Sequence, residues 1–124
     1  MRLLLDTHVV LWWLVDDPTL RDDVKGLIDE ELDVFVSAAT VWELAIKQAR
    51  GKVEIDGDLV EIVRAAELRQ LSIGFDHAAM AGRLPSLHRD PFDRMLVAQA
   101  QCERLTLVTR DPDIQRYDVA TLPV

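Results

Sequence analysis

Apolar positions fall into short bursts separated by longer stretches with helical spacing. Arg2–Leu5 is an apolar run stopped by Asp6, the pattern of a strand buried on both faces. Thr7–Asp16 follows with Val9, Val10, Trp12, Trp13 and Leu14 apolar on most sides, which predicts a deeply packed helix. Asp17-Pro18 reads as a cap followed by proline at the first helical position, opening a helix that buries Leu20, Val24, Leu27, Ile28 and Leu32. Val34–Val36 forms a second strand, ended by Ser37. Ala38–Arg50 is helical, with Val41, Leu44, Ala45 and Ala49 inward and Gly51 as the stop. A helix over Asp58–Gln70 carries Leu59, Ile62, Val63, Ala66 and Leu68, and Leu71–Phe75 is a short strand. Asp76 caps a helix to Leu84, Pro91–Arg104 is a helix, Leu105–Thr109 a strand, Asp111-Pro112 the start of a short helix, and Val119–Leu122 an edge strand.

Strands alternating with helices imply an α/β fold: a three-layer α/β/α sandwich around a parallel sheet of about four to five strands. In such sheets sites form beyond the C-terminal ends of the strands, which directs attention to Asp6, Ser37 and the Thr109–Asp111 segment. The chain of 124 residues reads as one domain, and its 49% apolar content suits a sizeable core. No apolar run reaches the ~18 residues of a membrane span. Asp6 and His8 inside the first apolar stretch argue against a signal peptide. The lone Cys102 is expected as a buried, inert thiol in a reducing, cytoplasmic setting.

Net charge is −8, which at first excludes a nucleic-acid partner. The distribution restores one. Residues 16–33 hold eight acids against two bases, a solvated helix face or a surface for a basic partner. Residues 83–116 hold six arginines and five acids, and neutralising those acids with a metal would leave the region basic.

Each acid at a strand end has an ordinary structural role open to it. Asp6, Asp90 and Asp111 can cap helices, and Asp93 can face a helix N-terminus. Glu43 can close a capping box with Thr40 or pair with Lys47. With Ser37 as the cap instead, Glu43 lies almost two turns inside its helix, able to aim across the end of the first strand. Together, Asp6, Glu43, Asp93 and Asp111 gather at one edge of the sheet. Carboxylates so placed repel, and a cation would neutralise them. All-oxygen ligands without a Cys or His cluster select Mg²⁺ or Mn²⁺. Arg89, Arg94 and Arg110 flank the acids with guanidinium forks that suit phosphate. His88 is expected as a solvated loop side chain, His8 as a packing residue and Asp113 as a surface acid.

The segments LLLDTHVVLWWL, SAATVWELAIK, LHRDPFDRMLVAQA and LTLVTRD, in this order and spacing, resemble the PIN-domain ribonucleases, specifically the VapC-type toxins of bacterial toxin–antitoxin modules. The resemblance runs nearly end to end. It implies an acidic quartet that binds Mg²⁺ or Mn²⁺ and hydrolyses RNA, falling on Asp6, Glu43, Asp93 and Asp111. Thr109 and Ser37 match small hydroxyl positions near that site, and Asp90 belongs to a subgroup spelling. It further implies a homodimer and a VapB-like antitoxin, with the helices around Val41–Leu68 and the first helix as contact surfaces. Two other readings stay open on the residues. A phosphoryl-transfer enzyme would use Asp6 as nucleophile, but Asp6-Thr7-His8 lacks the second aspartate that haloacid-dehalogenase-like enzymes carry. A non-catalytic interaction module would use the acids only as caps and ion pairs.

Overall fold

The computed structural model describes residues 1–124. Five strands, β1 (Arg2–Leu5), β2 (Asp33–Ser37), β3 (Arg69–Leu71), β4 (Thr106–Thr109) and β5 (Thr121–Pro123), form one sheet in the order β3-β2-β1-β4-β5. Every neighbouring pair is parallel. The helices are α1 (Thr7–Leu14), α2 (Asp22–Glu30), α3 (Ala38–Ala49), α4 (Leu59–Ala65), α5 (Phe75–Arg83) and α6 (Pro91–Glu103), with a 3₁₀ turn at Ile114–Arg116. This is the expected sandwich, with five strands.

The central strand β1 shows why a continuous apolar run is needed. Leu3 and Leu5 pack into a cluster with Val9, Val10, Val24, Ile28, Leu44 and Val63, so helices α1 to α4 share one face. Leu4 points the other way, into a cluster with Leu96, Val97, Ala100, Leu107 and Ile114 under α6. Alternating side chains thus fill both faces of one strand. The chain builds β1, β2 and β3 outward on one side, then crosses to place β4 and β5 on the other. The reversal between β1 and β4 leaves a crevice at their C-terminal ends.

Several boundaries differ from the pattern-based expectation, each for a local reason. Asp17 accepts from Thr19 N–H at 2.8 Å, and this turn buries Leu20 before α2 begins at Asp22. Asp17-Pro18 therefore closes a turn and starts no helix. The expected helix over 58–70 stops at Ala65, because Glu67 adopts a left-handed φ of 60° and turns the chain into β3. The third strand accordingly lies at Arg69–Leu71, leaving Ile73 and Phe75 exposed, and Gly74, not Asp76, precedes α5. Ala45 and Ala49 are exposed, because capping by Ser37 turns Glu43 and Leu44 inward. Trp12 and Trp13 are half-buried: Arg110 lies 4.8 Å over the Trp12 ring, and Trp13 Nε1 donates to Asp29 at 3.2 Å. Cys102 is half-buried, and burial pushes its thiol up, so it stays protonated.

Leu107 is fully buried in β4. Leu107→Ala is expected to cost about 2–5 kcal/mol in urea denaturation, whereas Phe75→Ala, 95% exposed, changes stability by roughly 0.5 kcal/mol or less.

Candidate metal centre

Asp6 stands where β1 ends, 4% exposed. Its Oδ1 accepts from Val9 N–H at 2.9 Å and caps α1; its Oδ2 accepts from the Thr109 hydroxyl at 2.5 Å. Thr109 closes β4, and its Oγ1 in turn accepts from Asp111 N–H at 3.0 Å. The fully buried Thr109 thus ties the first acid to the fourth across the β1/β4 crevice. Burial raises the Asp6 carboxyl above its ordinary range, against the hydrogen bonds from Thr109 and Val9 that lower it; the charge of Asp111 adds to the rise. Both oxygens of the Asp6 carboxylate thus accept a hydrogen bond from the protein's own donors.

Glu43 reaches the same crevice from α3. It is 7% exposed, accepts from Thr7 Oγ1 at 2.8 Å and pairs with Lys47 Nζ at 3.0 Å. Thr40 Oγ1 lies 3.2 Å from the Thr7 hydroxyl. Both threonines were invisible as site residues in the sequence, although Thr7 directly follows the strand-ending aspartate. Ser37 caps α3 by accepting from Ala39 N–H and donates to Gln99 Oε1 at 2.6 Å. With no exposed surface, Ser37 fixes the helix that aims Glu43.

On α6, Asp90 is the cap, accepting from Phe92 and Asp93 N–H groups at 2.8 and 3.3 Å. Asp93 carries the strongest perturbation in the cluster. Burial, then the charges of Asp90 and Glu43, push its carboxyl up to about 7, against the opposing pull of His88. His88 is no solvated loop side chain. Its Nε2 lies 2.7 Å from Asp93 Oδ2 and 3.4 Å from Asp111 Oδ2. Burial works against its charged form, but the Asp93 hydrogen bond and the charges of Asp93, Asp111 and Asp113 outweigh it and leave the pKa raised.

The tightest group of potential ligand atoms is His88, Asp111 and Asp113, all within 4.8 Å of one another. Asp113 therefore faces the site. No three of the four expected carboxylates draw that close. The oxygen-rich donor set, with two carboxyls raised by burial, fits a divalent cation that would offset this uncompensated charge.

The three arginines expected to meet phosphate divide. Arg89 is exposed beside the site. Arg94 is turned away: its guanidinium donates to the carbonyls of Ala81, Leu84 and Pro85 at 2.8, 3.1 and 3.0 Å. Arg110 leans the other way too, donating to Val124 O at 2.6 Å and Thr19 O at 3.0 Å above Trp12. Both guanidiniums are engaged by backbone carbonyls.

The PIN domain family pattern matches residues 3–120. Over 118 residues the chain is 30% identical to Ribonuclease VapC22 of Mycobacterium tuberculosis, covering 93% of this chain and 91% of that protein. Among solved structures, FitAcB from Neisseria gonorrhoeae superposes with a TM-score of 0.69 at 25% identity, covering 97% of this chain and 96% of its counterpart. VapBC from Salmonella typhimurium, bound to DNA, superposes with a TM-score of 0.75 at 16% identity, covering 99% and 98%, a likeness of fold.

Without a divalent cation, the two raised pKa values act in one direction. An Asp93 carboxyl raised to about 7 makes the folded state bind more protons than the unfolded chain above pH ~4. Its contribution to stability therefore falls as pH rises toward about 7. The raised pKa of His88 contributes stability that is complete below its unfolded value near ~6.5 and is lost as pH rises through the folded value. Thermal melts in chelator are expected to show Tm falling between about pH 5 and pH 8. Asp93→Asn should melt above the parent at pH 8, by a margin that shrinks toward pH 5; a margin growing toward acid would contradict the assignment.

Proposed function

The chain belongs to the PIN-domain family, and from that premise we propose that it is a metal-dependent endoribonuclease, the toxin of a VapBC-type pair, acting in the cytoplasm. The link from Asp6 through Thr109 to Asp111 across the β1/β4 crevice, with His88 joining Asp111 to Asp93, supports this reading. Asp6, Asp93 and Asp111 would hold the ion, Mg²⁺ or Mn²⁺, and Glu43 would complete the negative field from α3. A bound divalent cation supplies charge stabilisation at the scissile phosphate and lowers the pKa of a water molecule.

The protein's own residues do the rest. Thr109 keeps Asp6 and Asp111 in register, and Thr7 with Lys47 fixes the Glu43 carboxylate. His88 bridges Asp93 and Asp111 next to the exposed Arg89. Exposed Arg89 meets the RNA backbone as a phosphate fork. Water attacks phosphorus in line with the departing oxygen, and the carboxylates orient that water and receive its proton.

A second copy of the chain and a VapB-like antitoxin are the protein partners in this reading. Apolar surface is available for them. Trp42 is 62% exposed on α3, and a cavity of about 200 Å³ between α3, α4 and β3 is lined by Val36, Val41, Val60, Val63 and Leu71. No helix is long and apolar enough to cross a membrane.

Purified protein with Mn²⁺ or Mg²⁺ is expected to cut RNA internally, and chelator is expected to stop it. Asp6→Asn and Asp93→Asn should each lower cleavage by at least about 100-fold while still folding, as judged by circular dichroism. Retained cleavage by Asp93→Asn would overturn the site. Turnover of a small phosphate ester without RNA cleavage would favour the phosphoryl-transfer reading. A melting temperature indifferent to Mn²⁺ would favour acids that serve only as caps.

A further inference from the structure

The segment that carries His88 is gripped from two sides. Arg94 sits next to Asp93 on α6, yet its Nη2 reaches the carbonyls of Ala81 and Leu84 at the C-terminal end of α5. Those carbonyls have no partner within the helix, and a cation there meets the negative end of its dipole. The Nη1 of Arg94 donates to Pro85 O at 3.0 Å, to His88 O at 3.5 Å and to Tyr117 Oη at 3.3 Å.

Tyr117 approaches from the segment that follows Asp111. It is 5% exposed; its Oη accepts from His88 N–H at 2.9 Å and donates to Pro85 O at 2.9 Å. The backbone of His88 is therefore held at its N–H by Tyr117, while Arg94 holds Pro85 O and the Tyr117 hydroxyl and reaches His88 O at 3.5 Å. The imidazole it presents bridges Asp93 and Asp111. Arg94 belongs to the same helix as Asp93, and Tyr117 to the same stretch of chain as Asp111. Each grip is thus anchored to an element that carries one of the acids His88 spans.

We propose that Arg94 and Tyr117 are positioning residues, a clamp that registers His88 against Asp93 and Asp111. Neither touches substrate; they act through the backbone of residues 85–88. The kinetic part of the test rests on the nuclease reading, and the spectroscopic part does not.

Tyr117→Phe keeps the ring in the core and removes the bridging oxygen. In the full-length metal-free protein at fixed pH, the ring ¹⁵N shifts of His88 report its bond to a carboxylate. Those shifts are expected to move in Tyr117→Phe and in Arg94→Lys, which keeps the charge but loses the fork. In the Mn²⁺-loaded protein, the single-turnover rate of RNA cleavage should fall about tenfold, with RNA affinity within about twofold. In a His88→Ala background the same Tyr117→Phe change should add less than about twofold, because the route of its effect is gone. A core control, Val97→Ala, should lower the melting temperature yet leave both the His88 shifts and the rate in place. Unmoved His88 shifts in both clamp variants, or fully additive losses in the double variant, would show a purely structural role and overturn the proposal. If the parent cuts no RNA while Tyr117→Phe still moves the His88 shifts, the nuclease reading fails and the clamp stands. If Tyr117→Phe does not fold, Arg94→Lys carries the same two readouts.

Discussion

The hydrogen bond from Thr109 to Asp6 joins the ends of β1 and β4 where the sheet changes direction, and the arrangement of the acidic crevice depends on it. A parallel sheet delivers the C-terminal ends of its strands to one edge, and a reversal of strand order opens a gap there. The chain fills that gap with charge. Asp6 is buried, Asp111 half-buried, and the N–H of Asp111 returns a hydrogen bond to the same threonine. The carboxylate of Asp6 and the backbone of Asp111 are thereby fixed to a single hydroxyl. A cap alone would not need this connection: Asp58 caps α4 from an exposed position by accepting only from N–H groups of its own helix.

Burying like charges together is unfavourable, and the neighbouring contacts distribute that cost. Asp93 responds by holding its proton to about 7. Glu43 is met by a hydroxyl and a lysine. Asp93 and Asp111 share the imidazole of His88, which acquires positive charge more readily for being there. These are three local means of offsetting clustered negative charge. The site is a set of donors held open, with separate supports behind each donor.

The fold was legible where burial and periodicity agree. Arg2–Leu5 and the strand ending at Thr109 are mostly apolar because both faces of a central parallel strand are covered. Legibility fell where a single backbone conformation decided the path. Nothing in the helical spacing of 58–70 announces that Glu67 takes a left-handed φ, and nothing in Asp17-Pro18 separates a turn from a cap. The site followed the same division. Acids at strand ends could be named because the strands themselves could be placed. The supports could not, since Thr7 meets Glu43 and Arg94 meets Ala81 through contacts between elements that sequence spacing does not relate.

The arginines make the point most clearly. Arg94 and Arg110 each stand next to an acid of the site, and adjacency in sequence suggested a shared task with it. On a helix, however, neighbours lie about 100° apart, so a residue next to an inward-facing acid points elsewhere. Arg94 uses that divergence. Asp93 faces the crevice, while Arg94 faces the end of α5 and satisfies carbonyls that would otherwise lack partners. At Thr109–Asp111 the same logic runs through a strand end, where Arg110 turns to the C-terminus and Trp12. One dipeptide can therefore both place an acid in the crevice and lock the wall behind it. In RDPFDR that division falls between Asp93 and Arg94, and it leaves Arg89, before the cap, as the exposed arginine of the stretch.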